Sequence, residues 1–175
     1  MKIVVIYKSK TGFTKKYAEW ISKELKADIF KSSKATREML NEYDTIIYGG
    51  SLYASGVIGI KLITKNFDKL KNKKIIVFAT GASSSKENVI NEVKDKNFTP
   101  EQQKHIKFFY FRGGFNYNEL NSFDKFLMTL MKNKIKSKKK EDLTDEEKEM
   151  LDAYDNPVDF TNKKYIEKLI DYVNS

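Results

Sequence analysis

The sequence predicts an α/β fold: a doubly wound parallel sheet of five strands in the order 2-1-3-4-5, with a helical insertion after the fifth strand. Three observations carry this expectation. Five short apolar runs alternate with stretches of helical periodicity. The runs are nearly unbroken, as in Ile75-Ile76-Val77-Phe78-Ala79, so both faces of each strand should be covered, as in a parallel sheet. The first strand also runs directly into a hydroxyl-rich turn, Ser9-Lys10-Thr11-Gly12-Phe13-Thr14, that opens a helix. In a parallel sheet such a turn lies at the carboxyl edge of the strands, where ligands bind. Right-handed crossovers leave 2-1-3-4-5 as the natural order.

Each element has its own signal. Lys2 to Tyr7 is apolar and β-branched and reads as the first strand. Residues 14–26 place Tyr17, Ala18, Ile21 and Leu25 at helical spacing. Ala27 to Lys31 reads as a short second strand and Ala35 to Asn41 as a short helix. Asp44 to Gly50 reads as a third strand ending in a glycine turn. Gly56 to Leu70 reads as one helix, with Val57, Ile60, Leu62, Ile63 and Phe67 on its apolar face. Lys74 to Thr80 is the fourth strand, Lys86 to Lys96 a helix, and Ile106 to Arg112 the fifth strand. Residues 161–174 close the chain as a helix, with Tyr165, Ile166, Leu169, Ile170 and Val173 at core spacing.

Residues 115–160 stand outside this alternation. Tyr117 to Ile135 carries Leu120, Phe123, Phe126, Leu127, Leu130 and Met131 near helical spacing. Lys125, Lys132, Lys134, Lys136, Lys138, Lys139 and Lys140 accompany or follow it, and an acidic block from Glu141 to Asp152 comes next. Thr144 is placed to cap a helix, with Glu147 in capping-box position. Two readings stay open. One is a helical hairpin whose opposite charges pair in solvent. The other is a basic amphipathic helix over 120–140 that meets an anionic membrane or an acidic substrate.

A length of 175 residues is expected to form a single domain, 1–175, with a sizeable core. There is no cysteine, so disulfides, thiol catalysis and thiolate metal sites are excluded. With one histidine, His105, no multi-histidine metal site is expected. The formal charge of +9 favours anionic partners. Arginine, the residue favoured for reading bases, is confined to Arg37 and Arg112, so nucleic acid is not an expected partner. No apolar run approaches the roughly 20 residues that span a bilayer. The expected location is cytoplasmic, with peripheral contact at the inner membrane face through 120–140 as a further reading.

The turn after the first strand suits an anion. It combines three hydroxyls (Ser9, Thr11, Thr14), a glycine that lets the backbone approach, and the open amides of a helix N-terminus. The spacing of a Walker A loop is absent, and so is the dinucleotide fingerprint. A hydroxyl cradle of this kind suits one terminal phosphate monoester. The loop resembles the flavodoxin phosphate loop, [ST]-x-T-G-x-T, and matches every defined position. The resemblance implies that Ser9, Lys10, Thr11, Gly12, Phe13 and Thr14 hold the phosphate of FMN. Two more loops should reach the same sheet edge. Gly49 to Gly56 offers Ser51, Leu52, Tyr53 and Ala54, with Leu52 and Tyr53 as walls for a flat ring. Thr80 to Ser85 offers Thr80, Gly81, Ala82 and Ser83, small residues whose amides and hydroxyls suit the ring's polar edge.

Gly113-Gly114-Phe115-Asn116-Tyr117, followed by Asn121-Ser122-Phe123-Asp124-Lys125-Phe126-Leu127-Met128, narrows the resemblance. These segments are similar to the insertion of the bacterial flavodoxin-type, menaquinone-dependent protoporphyrinogen oxidases. That family implies an FMN-dependent oxidoreductase acting on a porphyrinogen with a quinone as acceptor. The flavin carries the chemistry, so no protein side chain is assigned as acid or base. His105 should lie on the surface at the amino edge of the sheet. Two alternatives are kept: a flavodoxin-type electron carrier without a substrate of its own, and a flavin-free anion-binding or interaction module.

Overall fold

The computed structural model describes residues 1–83 and 86–175. Ser84 and Ser85, which end the third loop of the sequence reading, lie outside the described residues. In chain order the first half comprises β1 (Ile3–Lys8), α1 (Phe13–Leu25), β2 (Asp28–Lys31), α2 (Arg37–Asn41), β3 (Thr45–Tyr53) and β4 (Gly56–Val57). There follow α3 (Lys61–Thr64), α4 (Phe67–Leu70), β5 (Lys74–Gly81), α5 (Glu87–Asn97), α6 (Pro100–His105) and β6 (Ile106–Arg112). The chain continues through β7 (Gly114–Phe115), α7 (Ser122–Lys136), α8 (Asp145–Ala153) and β8 (Val158–Asp159), and ends with α9 (Glu167–Asn174). It divides into two compact units, one of residues 1–113 and 161–175, the other of residues 114–160.

In the larger unit the main strands run β2-β1-β3-β5-β6, all parallel. This is the expected 2-1-3-4-5 order, because β4 is only a two-residue antiparallel return on the end of β3. Alternation along each strand sorts the core into two layers. Val4, Ile6, Ile46, Tyr48, Ile75 and Val77 face one side, with Leu40, Ile63, Phe67 and Val93 from the helices. Val5, Tyr7, Ile47, Ile76 and Phe78 face the other, with Tyr17, Ala18 and Ile21 of α1 and Leu169 and Val173 of α9.

Three expectations are corrected here. Gly49 and Gly50 form no turn; they lie inside β3, which runs on to Tyr53. Their glycine character serves packing instead. A Cβ on Gly49 would stand 2.1 Å from the Phe78 ring, and one on Gly50 2.4 Å from Val57 Cγ1. The single helix expected over 56–70 is a strand return followed by two short helices. Gly56 and Val57 are taken by the ladder with β3. Asn66 then leaves helical backbone (φ −105°, ψ 6°) and donates from Nδ2 to the Leu62 carbonyl at 2.8 Å, a local competition that separates α3 from α4. Tyr165, expected in the core, is 44% exposed, while Ile166, Leu169 and Val173 are buried. His105 is exposed at the end of α6, before β6, on the amino edge as expected.

The smaller unit is organised around Tyr154. Its ring lies 5.3 Å from that of Phe115 and 5.4 Å from that of Tyr117. Its hydroxyl donates to the Met128 carbonyl at 2.6 Å, and burial pushes the phenol pKa up. The capping box at Thr144 and Glu147 forms as the sequence predicts. The expected helix over 117–135 begins only at Ser122, because Asn121 caps it by accepting from the Asp124 N–H at 2.9 Å. Its apolar stripe is not core: Phe123, Phe126 and Leu130 are 65%, 59% and 52% exposed. The charge also falls differently from the sequence expectation. Residues 114–160 hold eight lysines against eleven carboxylates, so this unit is at −3 and the remainder of the +9 chain at +12.

Candidate functional site

The parallel strands β1, β3 and β5 end side by side, with Lys8 opposite Gly50 and Ser51 opposite Thr80. The segments that follow them therefore leave from one edge, and Thr14 ties the ends of β3 and β5 to the helix that follows β1. This residue is fully buried in the first turn of α1. Its Oγ1 lies 2.7 Å from Ser51 Oγ and 2.6 Å from Thr80 Oγ1. One hydroxyl thus joins the start of α1 to the carboxyl ends of β3 and β5, at three of the positions that the sequence assigns to the site.

The first loop folds on itself. Gly12 N–H donates to Ser9 Oγ at 3.1 Å, and Lys16 N–H donates to the Gly12 carbonyl at 2.9 Å. Gly12 has φ +89°, and nothing lies within 4 Å of where its Cβ would stand. Backbone conformation, not space, therefore requires glycine here. Helix α1 begins with no side-chain cap and no acidic residue in its first turn. Its leading amides and positive dipole end are open to an anion. Lys15 and Lys16 add positive charge at that end. Cations there cost about 0.3–1 kcal/mol each, a cost that a bound phosphate reverses. Thr11 and Phe13 are half-buried on either side of Gly12.

The second loop is a two-residue hairpin, with Tyr53 paired to Gly56 and Leu52 to Val57. Its two corner residues, Ala54 and Ser55, have φ +44° and +62°. Non-glycine residues in this region cost about 1–2 kcal/mol each, and they persist only where the surroundings hold them. Here α5 does so. Asn97 Oδ1 accepts from the Val57 N–H at 2.8 Å, and Asn97 Nδ2 donates to the Ser55 carbonyl at 2.8 Å. Lys96 Nζ donates to the Ala54 carbonyl, and Ser55 Oγ donates to Glu92. On the other side, the Lys10 N–H donates to Ser51 Oγ at 3.2 Å, and its ammonium stands 4.2 Å from the centre of the Tyr53 ring. Tyr53 is 39% exposed.

The third loop is fastened to β6. The Gly81 carbonyl accepts from the Gly113 N–H at 2.8 Å, that of Ala82 from Arg112 Nε at 3.1 Å, and that of Ser83 from the Tyr110 hydroxyl at 2.9 Å. Leu52 lies beside this loop, 3.2 Å from where a Cβ on Gly81 would stand. Of the residues proposed from the sequence, Ser9 to Gly12, Ala54, Ala82 and Ser83 lie on loops at this edge. Phe13 and Thr14 instead open α1, Ser51 to Tyr53 end β3, and Thr80 and Gly81 end β5, because the two strands run further than the sequence predicts. Sequence reasoning missed the residues that hold those loops: Asn97, Lys96 and Glu92 for the hairpin, Tyr110, Arg112 and Gly113 for the third loop. The Ala54-Ser55 pair gives no hairpin signal, because it lacks the Asn-Gly chemistry of such turns. Among the described residues no group of three or more side chains is placed to hold a metal ion.

The flavodoxin domain family matches residues 4–143. An uncharacterized protein of Methanocaldococcus jannaschii is 35% identical over 100 residues, covering 55% of this chain and 65% of that protein. The match thus spans less than two thirds of that relative. Among solved structures, a Lactobacillus acidophilus flavoprotein in complex with FMN is 18% identical, with TM-score 0.43, covering 63% of this chain and 91% of that one. The two-electron reduced flavodoxin of Megasphaera elsdenii is 18% identical with TM-score 0.45, covering 69% and 89%. The Trp repressor binding protein of Bacillus subtilis is 19% identical with TM-score 0.46, covering 66% and 85%.

Proposed function

The chain belongs to the flavodoxin domain family, and from that premise we propose that it is an FMN-dependent redox protein whose cofactor phosphate rests on residues 9–14. One observation carries the reading: the buried Thr14 hydroxyl joins the start of α1 to the carboxyl ends of β3 and β5, at a helix N-terminus that no side chain caps. Bound FMN supplies electron and hydride transfer through its ring system. The chain's own residues bind and orient it. The open amides of α1 and the hydroxyls of Ser9 and Thr11 receive the phosphate, Leu52 and Tyr53 wall the ring, and the loop from Thr80 to Ser83 lines its polar edge.

The finer reading is an oxidoreductase resembling the quinone-dependent protoporphyrinogen oxidases. Each two-electron, two-proton oxidation of the substrate is balanced by reduction of one quinone to its quinol. The long insertion, which a bare carrier does not need, supports an enzyme over an electron-transfer protein. The exposed Phe123, Phe126 and Leu130 beside the lysines of 132–140 support contact with an anionic membrane, where a quinone acceptor resides. The visible absorption spectrum of the purified protein, before and after adding FMN, tests the cofactor. Anaerobic turnover of a porphyrinogen with a menaquinone analogue tests the enzyme. Bound flavin without quinone-dependent turnover makes the chain a carrier, and a protein that ignores FMN makes it an anion-binding module.

A further inference from the structure

We propose that Asn97, supported by Lys96 and Glu92, is a positioning clamp that fixes the Ala54–Ser55 turn and through it sets the affinity and reduction potential of the cofactor bound at the adjoining edge of the sheet. The hairpin makes the demand and the helix answers it. In a two-residue hairpin, positions alternate between pairs that exchange backbone hydrogen bonds and pairs that do not. Ile58 N–H donates to the Ser51 carbonyl at 3.0 Å, so the intervening Leu52–Val57 pair is of the second kind. Val57 N–H therefore points away from β3, and Asn97 Oδ1 is the group that receives it. The same amide's Nδ2 reaches the Ser55 carbonyl. A planar carboxamide is the side chain that can accept on one atom and donate from the next.

Asn97 lies at the last position of α5 and also donates to the Val93 carbonyl at 2.7 Å. A purely helical role would need that one bond and no other. Lys96 takes the second turn carbonyl and Glu92 the turn hydroxyl. Both corner carbonyls are thus committed to α5. Neither corner residue is of the type that adopts this turn unaided, so its shape depends on the clamp. Because Tyr53 immediately precedes the turn, its placement as a ring wall depends on the clamp as well.

The proposal rests on the FMN reading for its potential and affinity, but not for the turn itself. The test compares N97A in the native sequence with N97A in an A54N/S55G background, whose Asn-Gly corner adopts this turn by itself. In the native background the apoprotein's Ile58 amide should exchange about tenfold faster and the FMN dissociation constant should rise about tenfold, with a displaced midpoint potential. In the Asn-Gly background all three changes should be largely restored. An unchanged Ile58 amide in N97A would overturn the proposal. So would losses of equal size in both backgrounds, since Asn97 would then serve only the helix. If the native protein holds no FMN, the cofactor reading fails, while amide exchange and its rescue still decide the clamp.

Discussion

Thr14 is fully buried, and its hydroxyl lies within hydrogen-bond reach of both Ser51 and Thr80. Replacing it with valine keeps the shape and removes the oxygen, leaving two hydroxyls short of a partner. We expect T14V to lose about 1–3 kcal/mol of stability in urea unfolding, and T14S to lose less, because it keeps the oxygen and drops only a methyl group. Equal stability of T14V and the native protein would mean that this hydroxyl chain holds nothing together. Gly12 is a separate case. Its added Cβ would meet nothing, yet its φ of +89° should cost G12A about 1–2 kcal/mol, readable as a lower Tm without FMN. Both residues are legible in the sequence as parts of a turn and helix start, because a strand, a turn and a helix in direct succession are local signals. The role of Thr14 as a tie is not legible, since its partners lie 37 and 66 residues away.

At the scale of elements, α8 is the helix whose ends the sequence announces most clearly. Thr144 and Glu147 satisfy each other's backbone donors at 3.2 and 3.1 Å, so T144A should cost about 1 kcal/mol of local stability. Glu147 also has a pH signature. Hydrogen bonding from Lys138, followed by that from the Thr144 backbone, holds its carboxyl below the ordinary value of 4.5. A depressed folded-state pKa contributes stability above the unfolded value and loses it as pH falls through the folded one. The amides of α8 should therefore lose exchange protection on acidification below about pH 4.5, and E147Q should remove that dependence. A capping box lies within four residues and can be read directly. The run from Gly56 to Leu70 cannot be read in this way. Val57, Ile60, Ile63, Phe67 and Leu70 are all buried, but a broken chain laid along one face of a sheet buries residues at the same spacing as a helix does.

For the whole molecule, the net charge misleads until the chain is divided. The lysines of 125–140 make the insertion look basic, whereas residues 114–160 are at −3 and the rest of the chain at +12. A residue count cannot reveal this without the boundaries, and the boundaries come from contacts. The division also permits a direct test. The Tyr17 hydroxyl donates to the Arg112 carbonyl at 2.7 Å and accepts from the Asn162 N–H at 3.2 Å. The two points where the chain leaves and re-enters the sheet unit are thus held by one oxygen, and a short Gly/Ser linker can join them. Excising 114–160 removes no strand of the parallel sheet and no residue of the three loops. The shortened chain should fold, elute later from a cation exchanger because its formal charge is higher, and retain FMN while losing quinone-dependent turnover. Turnover that survives would assign the chemistry to the sheet unit alone. A folded variant that no longer retains FMN would make the insertion part of the cofactor's enclosure, so that the three loops would account for the phosphate but not for the hold on the ring.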